Sequence, residues 1–247
     1  MLAKCKDILG FSLRARDGEI GKVKDIYFDD HTWHVRYLVV DTGNWLIERK
    51  VLIAPEALSS PNYEAEDIPV DLTMKQVEES PDVDADKPIS RQKEADLFKY
   101  YNWLPYWQVT AGPDTINAIP PVVPPQAFAE GAGQEESHGD PNLRSFTEVS
   151  GYNILSLSED SGHVEDFLFD DKAWQLKYLA VDTRNWIPGK KAIVPVQWID
   201  EIDWAANEVH LNLKKETLEH CPDIDLDEPL DPNVEEDLIV YYESSEY

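Results

Sequence analysis

The chain has little of what many binding and catalytic chemistries require. There are two cysteines in 247 residues, Cys5 and Cys221, near opposite ends and without CxxC spacing. That pattern does not signal a disulfide framework, and the thiols read as reduced. His220 beside Cys221 reads as an incidental neighbour at a helix end. Glycine is scarce, with 11 residues and no GxxxxGK[ST] loop, so no phosphate-cradling turn is encoded. The six histidines, His31, His34, His138, His163, His210 and His220, form no HxxxH or similar cluster. No Ser/His/Asp or Cys/His centre can be assembled from them, and the expectation is a protein that is not an enzyme and uses no cofactor.

Long apolar runs are missing too. No stretch approaches the roughly 18 apolar residues of a membrane-spanning helix. The N-terminus, MLAKCKDILGFSL, has no extended apolar region and no small-residue cleavage site, so a cytoplasmic protein without a signal peptide is expected. Basic residues are outnumbered, 22 Lys and Arg against 49 Asp and Glu, a net charge of −27. Phosphate binding needs clustered cations, which argues against nucleic acid and against anionic membrane surfaces. The charge is uneven. Residues 1–104 carry 14 basic and 20 acidic side chains, residues 105–146 carry 1 and 5, and residues 147–247 carry 7 and 24.

What the chain does have is a duplication. Gly10–Trp45 aligns with Gly151–Trp186 without a gap at an offset of 141, and 15 of 36 positions are identical. The identities include Gly21/Gly162, Asp29-Asp30/Asp170-Asp171, Trp33/Trp174, Tyr37/Tyr178, Asp41-Thr42/Asp182-Thr183 and Asn44-Trp45/Asn185-Trp186. One residue is lost before Pro55/Pro195, and the offset returns at Pro81/Pro222, Pro88/Pro229 and Tyr100-Tyr101/Tyr241-Tyr242. A repeated unit of this size is a domain rather than a solenoid repeat. The expected division is residues 1–104 as the first repeat, 105–146 as a Pro-rich irregular strap and flexible linker, and 147–247 as the second, strongly acidic repeat.

Strand signals dominate the start of each copy. Arg16-Asp17-Gly18 and Asp29-Asp30-His31-Thr32 are turns between β-type runs. From Trp33 apolar residues fall at alternate positions through Val39, and the second copy repeats this from Trp174, which predicts a half-buried strand. The preceding strand breaks phase between Val23 and Ile26, and again between Val164 and Phe167. The slip predicts a β-bulge at Lys24-Asp25 and at Glu165-Asp166. Val51–Ala54 and Ala192–Val194 give one more short buried strand each. Helical signals come late: a capping box at Thr73–Gln76, a helix opened by Ser90, and a matching one opened by Asp231 and Pro232. The fold class is mainly β, two small closed barrels with short C-terminal helices, joined by a Pro-rich linker.

These residues resemble the PRC-barrel family, whose fold is shared by the photosynthetic reaction-centre H subunit and the ribosome maturation factor RimM. The resemblance is carried by Gly10, Gly21-Lys-Val-Lys-Asp25, Tyr37-Leu-Val-Val-Asp41-Thr42, Trp45 and Val51-Leu-Ile-Ala-Pro55, and in the second copy by Gly151, Gly162, Tyr178–Thr183, Trp186 and Ile193-Val-Pro195. It implies binding to a protein partner rather than chemistry. The chain departs from the H subunit in having no membrane-spanning helix, and from the maturation factor in lacking its N-terminal domain.

Turn chemistry accounts for Asp29-Asp30 and Asp170-Asp171 better than a metal does, because no D-x-D-x-D-G pattern is present. Asp41-Thr42 and Asp182-Thr183 should bond local backbone. Two features point to partners. Trp103, Tyr106 and Trp107 follow a helix beside proline, and either fold back on the first barrel or stand exposed as interface anchors. The acidic tail, with Asp223, Asp225, Asp227, Glu228 and Asp231, either solvates the surface or steers toward a basic partner. The expectation is a non-catalytic interaction or scaffolding module built as an intramolecular pseudo-dimer, monomeric or homodimeric. The alternative is an accessory or assembly factor of a membrane-bound photosynthetic or electron-transfer complex, and the remaining one is an enzyme or divalent-metal binder.

Overall fold

Each half of the chain lays down its strands in the same order. In the computed structural model, residues 1–46, 49–81, 91–103, 105, 140, 142–157, 159–183, 191–222, 224 and 232–244 are described. The first half runs β1 (Leu2–Lys4), α1 (Cys5–Ile8), β2 (Ser12–Arg14), β3 (Glu19–Asp29), β4 (Val35–Asp41), β5 (Lys50–Ile53), β6 (Asp67–Pro69), α2 (Met74–Glu78) and α3 (Arg91–Tyr101). The second runs β7 (Leu143–Ser145), α4 (Phe146–Val149), β8 (Asn153–Ser156), β9 (Glu159–Asp170), β10 (Gln175–Asp182), β11 (Lys191–Pro195), β12 (Ile199–Asp203), β13 (Glu208–Leu211), α5 (Lys215–His220) and α6 (Pro232–Ser244).

The strands form two sheets, in the orders β5-β4-β3-β2-β6 and β11-β10-β9-β8-β13-β12. Neither path closes among the described residues, so two open sheets stand where closed barrels were expected. Closure needs end strands long enough to tilt and stagger against each other, and β5 and β6 have only four and three residues.

The first strand of each half does not stay with its own half. β1 pairs antiparallel with β9, placing Ala3 opposite Phe169, and β7 pairs antiparallel with β3, placing Arg144 opposite Phe28. The two registers are the same after the 141-residue offset. Composition assigns residues 143–146 to the linker, but they form β7 and open α4. A second junction lies where β4 and β10 begin: Val35 N–H donates to the Trp174 carbonyl at 2.8 Å and Leu176 N–H to the Trp33 carbonyl at 2.7 Å. Between these junctions the aromatic rings meet, Phe28 against Phe167 at 5.4 Å and Phe146 against Phe167 at 6.4 Å. The buried apolar residues form one cluster spanning both halves.

The predicted bulges are present. Pairing of β3 with β4 skips between Val23 and Asp25, and pairing of β9 with β10 skips between Asp166 and Val164. The capping box is also formed: Gln76 N–H donates to Thr73 Oγ1 at 3.3 Å, and Thr73 N–H to Gln76 Oε1 at 2.9 Å. Two expectations are corrected. Trp33 and Trp174 do not open their strands but take left-handed backbone (φ 60° and 50°), each N–H closing a turn onto the carbonyl of Asp29 or Asp170. And β4 is buried on both faces from Tyr37 to Val40, because α3 covers the Tyr37 side. The capping residues Ser90 and Asp231, and almost all of the Pro-rich segment, lie outside the described residues.

Candidate functional site

The aspartates repeated between the copies hold the fold. Asp29 Oδ1 accepts from His31 N–H at 3.1 Å and Thr32 N–H at 2.7 Å, and its Oδ2 accepts from Arg36 at 2.5 Å. Burial pushes this carboxyl up, but the Arg36 guanidinium and the turn donors outweigh it and hold it below its ordinary value. Asp170 Oδ1 closes the equivalent turn onto Lys172 and Ala173 N–H groups. Asp41 accepts from Gly43 N–H at 2.9 Å, and the Thr42 hydroxyl donates to the Arg49 carbonyl. These are Asx-type turns and strand ends, as the sequence suggests.

The bulge aspartates clasp the exchanged segments. An extra residue in β3 re-aims Asp25 so that it receives the Ser145 hydroxyl at 2.5 Å, Thr147 N–H at 3.0 Å and the Thr147 hydroxyl at 2.8 Å. Its counterpart in β9, Asp166, accepts from Phe167 N–H at 2.8 Å and Lys6 N–H at 3.3 Å. Burial pushes the Asp166 carboxyl up to about 7. The next pair along, Asp30 and Asp171, donate backbone N–H to the carbonyls of Asn142 and Met1 in the opposite half. Asp30 also pairs with Arg144 at 2.7 Å, both nearly buried, and burial pushes its carboxyl up to about 6 against the pull of that guanidinium. Sequence reading missed this clasp, although the identity of Asp25 and Asp166 at the phase slip was its visible trace.

Of the eight candidate partner-binding residues, only Trp103 is described. Of the two alternatives for it, the structure takes the folded-back one. Trp103 is 8 % exposed, stacked on Tyr101 at 4.3 Å and edge-on to Phe98 at 5.9 Å. Its ring completes the cover of α3 and is not available to a partner in this fold. Tyr106, Trp107, Asp223, Asp225, Asp227, Glu228 and Asp231 lie outside the described residues. Sequence reading passed over Trp204, which is 43 % exposed in the β12–β13 turn with the Arg144 guanidinium 5.4 Å from its centre. Among the described residues no helix is long and apolar enough to cross a membrane.

Two sheets with reciprocally exchanged first strands, bulged third-strand aspartates and short trailing helices define a mainly β protein whose halves share one strand order. The family model of the PRC-barrel domain matches residues 3–73, within the first unit. No curated protein matches the chain.

Proposed function

We propose that the chain is a non-catalytic protein-interaction module, a tandem of PRC-type units fused into an intramolecular pseudo-dimer. The PRC-barrel domain at residues 3–73 supports the interaction reading. The single observation that carries the pseudo-dimer is the reciprocal exchange of β1 and β7 at equivalent registers. Two separate chains that associate two-fold would make the same pair of contacts, each lending its first strand to the other. In this reading the acidic titratable groups shared by the halves are committed to turns and clasps, and partner recognition falls to the surfaces on which the halves differ. The second half, with 7 basic and 24 acidic residues after position 146, would steer a basic partner.

The test is native co-purification of the full chain at low salt and at roughly 0.5 M salt, where the Debye length falls to about 4 Å. A stoichiometric protein partner retained at low salt and released at high salt is the expected result. A chain that purifies alone under both conditions overturns the reading. Should the partner come from solubilised membranes, the accessory role at a membrane-bound electron-transfer complex is the branch to follow.

A further inference from the structure

Helices α3 and α6 occupy equivalent places. Glu94 of α3 receives the Tyr37 hydroxyl at 2.8 Å, and Glu235 of α6 receives the Tyr178 hydroxyl at 3.0 Å, the same pair after the offset of 141. Their outer faces are not equivalent. In α3, Ala95 and Phe98 are buried at 6 % and 2 % exposure, and Trp103 lies edge-on against Phe98. In α6 the corresponding residues are Glu236, Ile239 and Ser244. No ring stands at the Trp103 position, and Ile239 is 39 % exposed. Beside it Val240, where α3 has the exposed Lys99, is 64 % exposed.

Residues 236, 239, 240 and 243 follow one another at helical spacing, so Ile239 and Val240 sit on a single stripe between the exposed carboxylates of Glu236 and Glu243, with Asp237 alongside. Isolated exposed apolar residues are ordinary. Two adjacent β-branched residues are a poor choice for a solvated helix surface, since they lower helix propensity and leave apolar area in water. We propose that this stripe is a docking face for a cationic amphipathic segment of a partner protein. Apolar anchors at helical spacing would cover Ile239 and Val240, and flanking Lys or Arg would meet Glu236, Asp237 and Glu243. Charge complementarity selects this occupant. An anionic lipid surface or nucleic acid would be repelled by the same three carboxylates, and a second copy of this acidic chain would be repelled as well. The inference rests on the interaction-module reading and adds the surface and the partner's chemistry.

The probe is a labelled peptide of roughly 18 residues, long enough to form helix, made of Leu and Lys in an amphipathic pattern. Fluorescence anisotropy with the full chain should show binding, with hydrogen-exchange protection at residues 232–244. The double variant Ile239→Gln/Val240→Gln, which does not weaken the helix and keeps net charge, should weaken it about tenfold. Glu236→Gln/Asp237→Asn/Glu243→Gln should weaken it and flatten its salt dependence. Lys99→Gln/Tyr100→Gln on α3 should leave it unchanged. Equal binding of a scrambled Leu/Lys peptide, binding indifferent to the Ile239/Val240 variant, or protection confined elsewhere would overturn the proposal. So would concentration-dependent dimerisation that the Ile239/Val240 variant abolishes. Native co-purification separates the two levels. A partner held equally by that variant removes this face and leaves the module reading standing, whereas no partner with either protein removes both.

Discussion

At residue 25 of the first half and residue 166 of the second, the same aspartate sits on the same bulge and grips the first helix of the opposite half. At residue 103 and residue 244, equally matched by the offset, a buried tryptophan faces an exposed serine. The first pair belongs to the seam between the halves and the second to a surface that only one half covers. The halves share the contacts by which they hold each other and differ on their outer faces. The fold therefore behaves as one object with two different outsides, and a partner that reads one outside has no equivalent site on the other.

Substitution at the shared glycines should have the largest effect. A Cβ on Gly162 would lie 2.1 Å from the Asp182 carbonyl oxygen, and its φ of +108° is unfavourable for any other residue. Gly162→Ala should destabilise the whole chain by roughly 4 kcal/mol, strain and overpacking together, as measured by urea unfolding. A loss confined to one half would separate the halves energetically. The divergent position is next. Trp103→Ala should cost about 3 kcal/mol through lost packing on Phe98 and Tyr101, while Ser244→Ala should change stability by less than about 0.5 kcal/mol. Similar values for the two would erase the contrast between the helices.

The seam gives the smallest and most specific effect. Burial raises the folded pKa of Asp166 from 3.8 to about 7, so between those values the folded chain holds a proton that the unfolded chain has released. Stability then falls as pH rises through that window. Asp166→Asn keeps an oxygen for the Lys6 and Phe167 N–H groups and removes the charge. It should be more stable than the parent at about pH 8, by a few kcal/mol at most, and equal to it near pH 4. Equal stability at both pH values would remove the buried charge from the description of the clasp.

Much of each half was legible in the sequence, because local chemistry determines it. The phase slip at Val23–Ile26 marked the bulge, Thr73 and Gln76 marked a capping box, and Pro232 marked the start of α6. The exchange was not legible. β1 and β7 have three residues each, too few to show a period, and their partners lie in the other half, where only register with β9 and β3 defines them. Trp33 was misread as the start of a strand because its alternation with Val35 continues across a left-handed residue. Of the partner-binding residues, Trp103 carried the composition of an interface anchor, but its burial depends on Phe98 and Tyr101 closing around it. The open face of α6 is not visible in the sequence, because the burial of Phe98 and the exposure of Ile239 at equivalent positions depend on what packs over each helix.

The exchanged strands should make the two halves a single cooperative unit, which differential scanning calorimetry of the full chain measures. One endotherm is predicted, with calorimetric and van't Hoff enthalpies in agreement, and Gly162→Ala should move it as a whole. Two resolved transitions, or a Gly162→Ala variant in which only one of them moves, would contradict it.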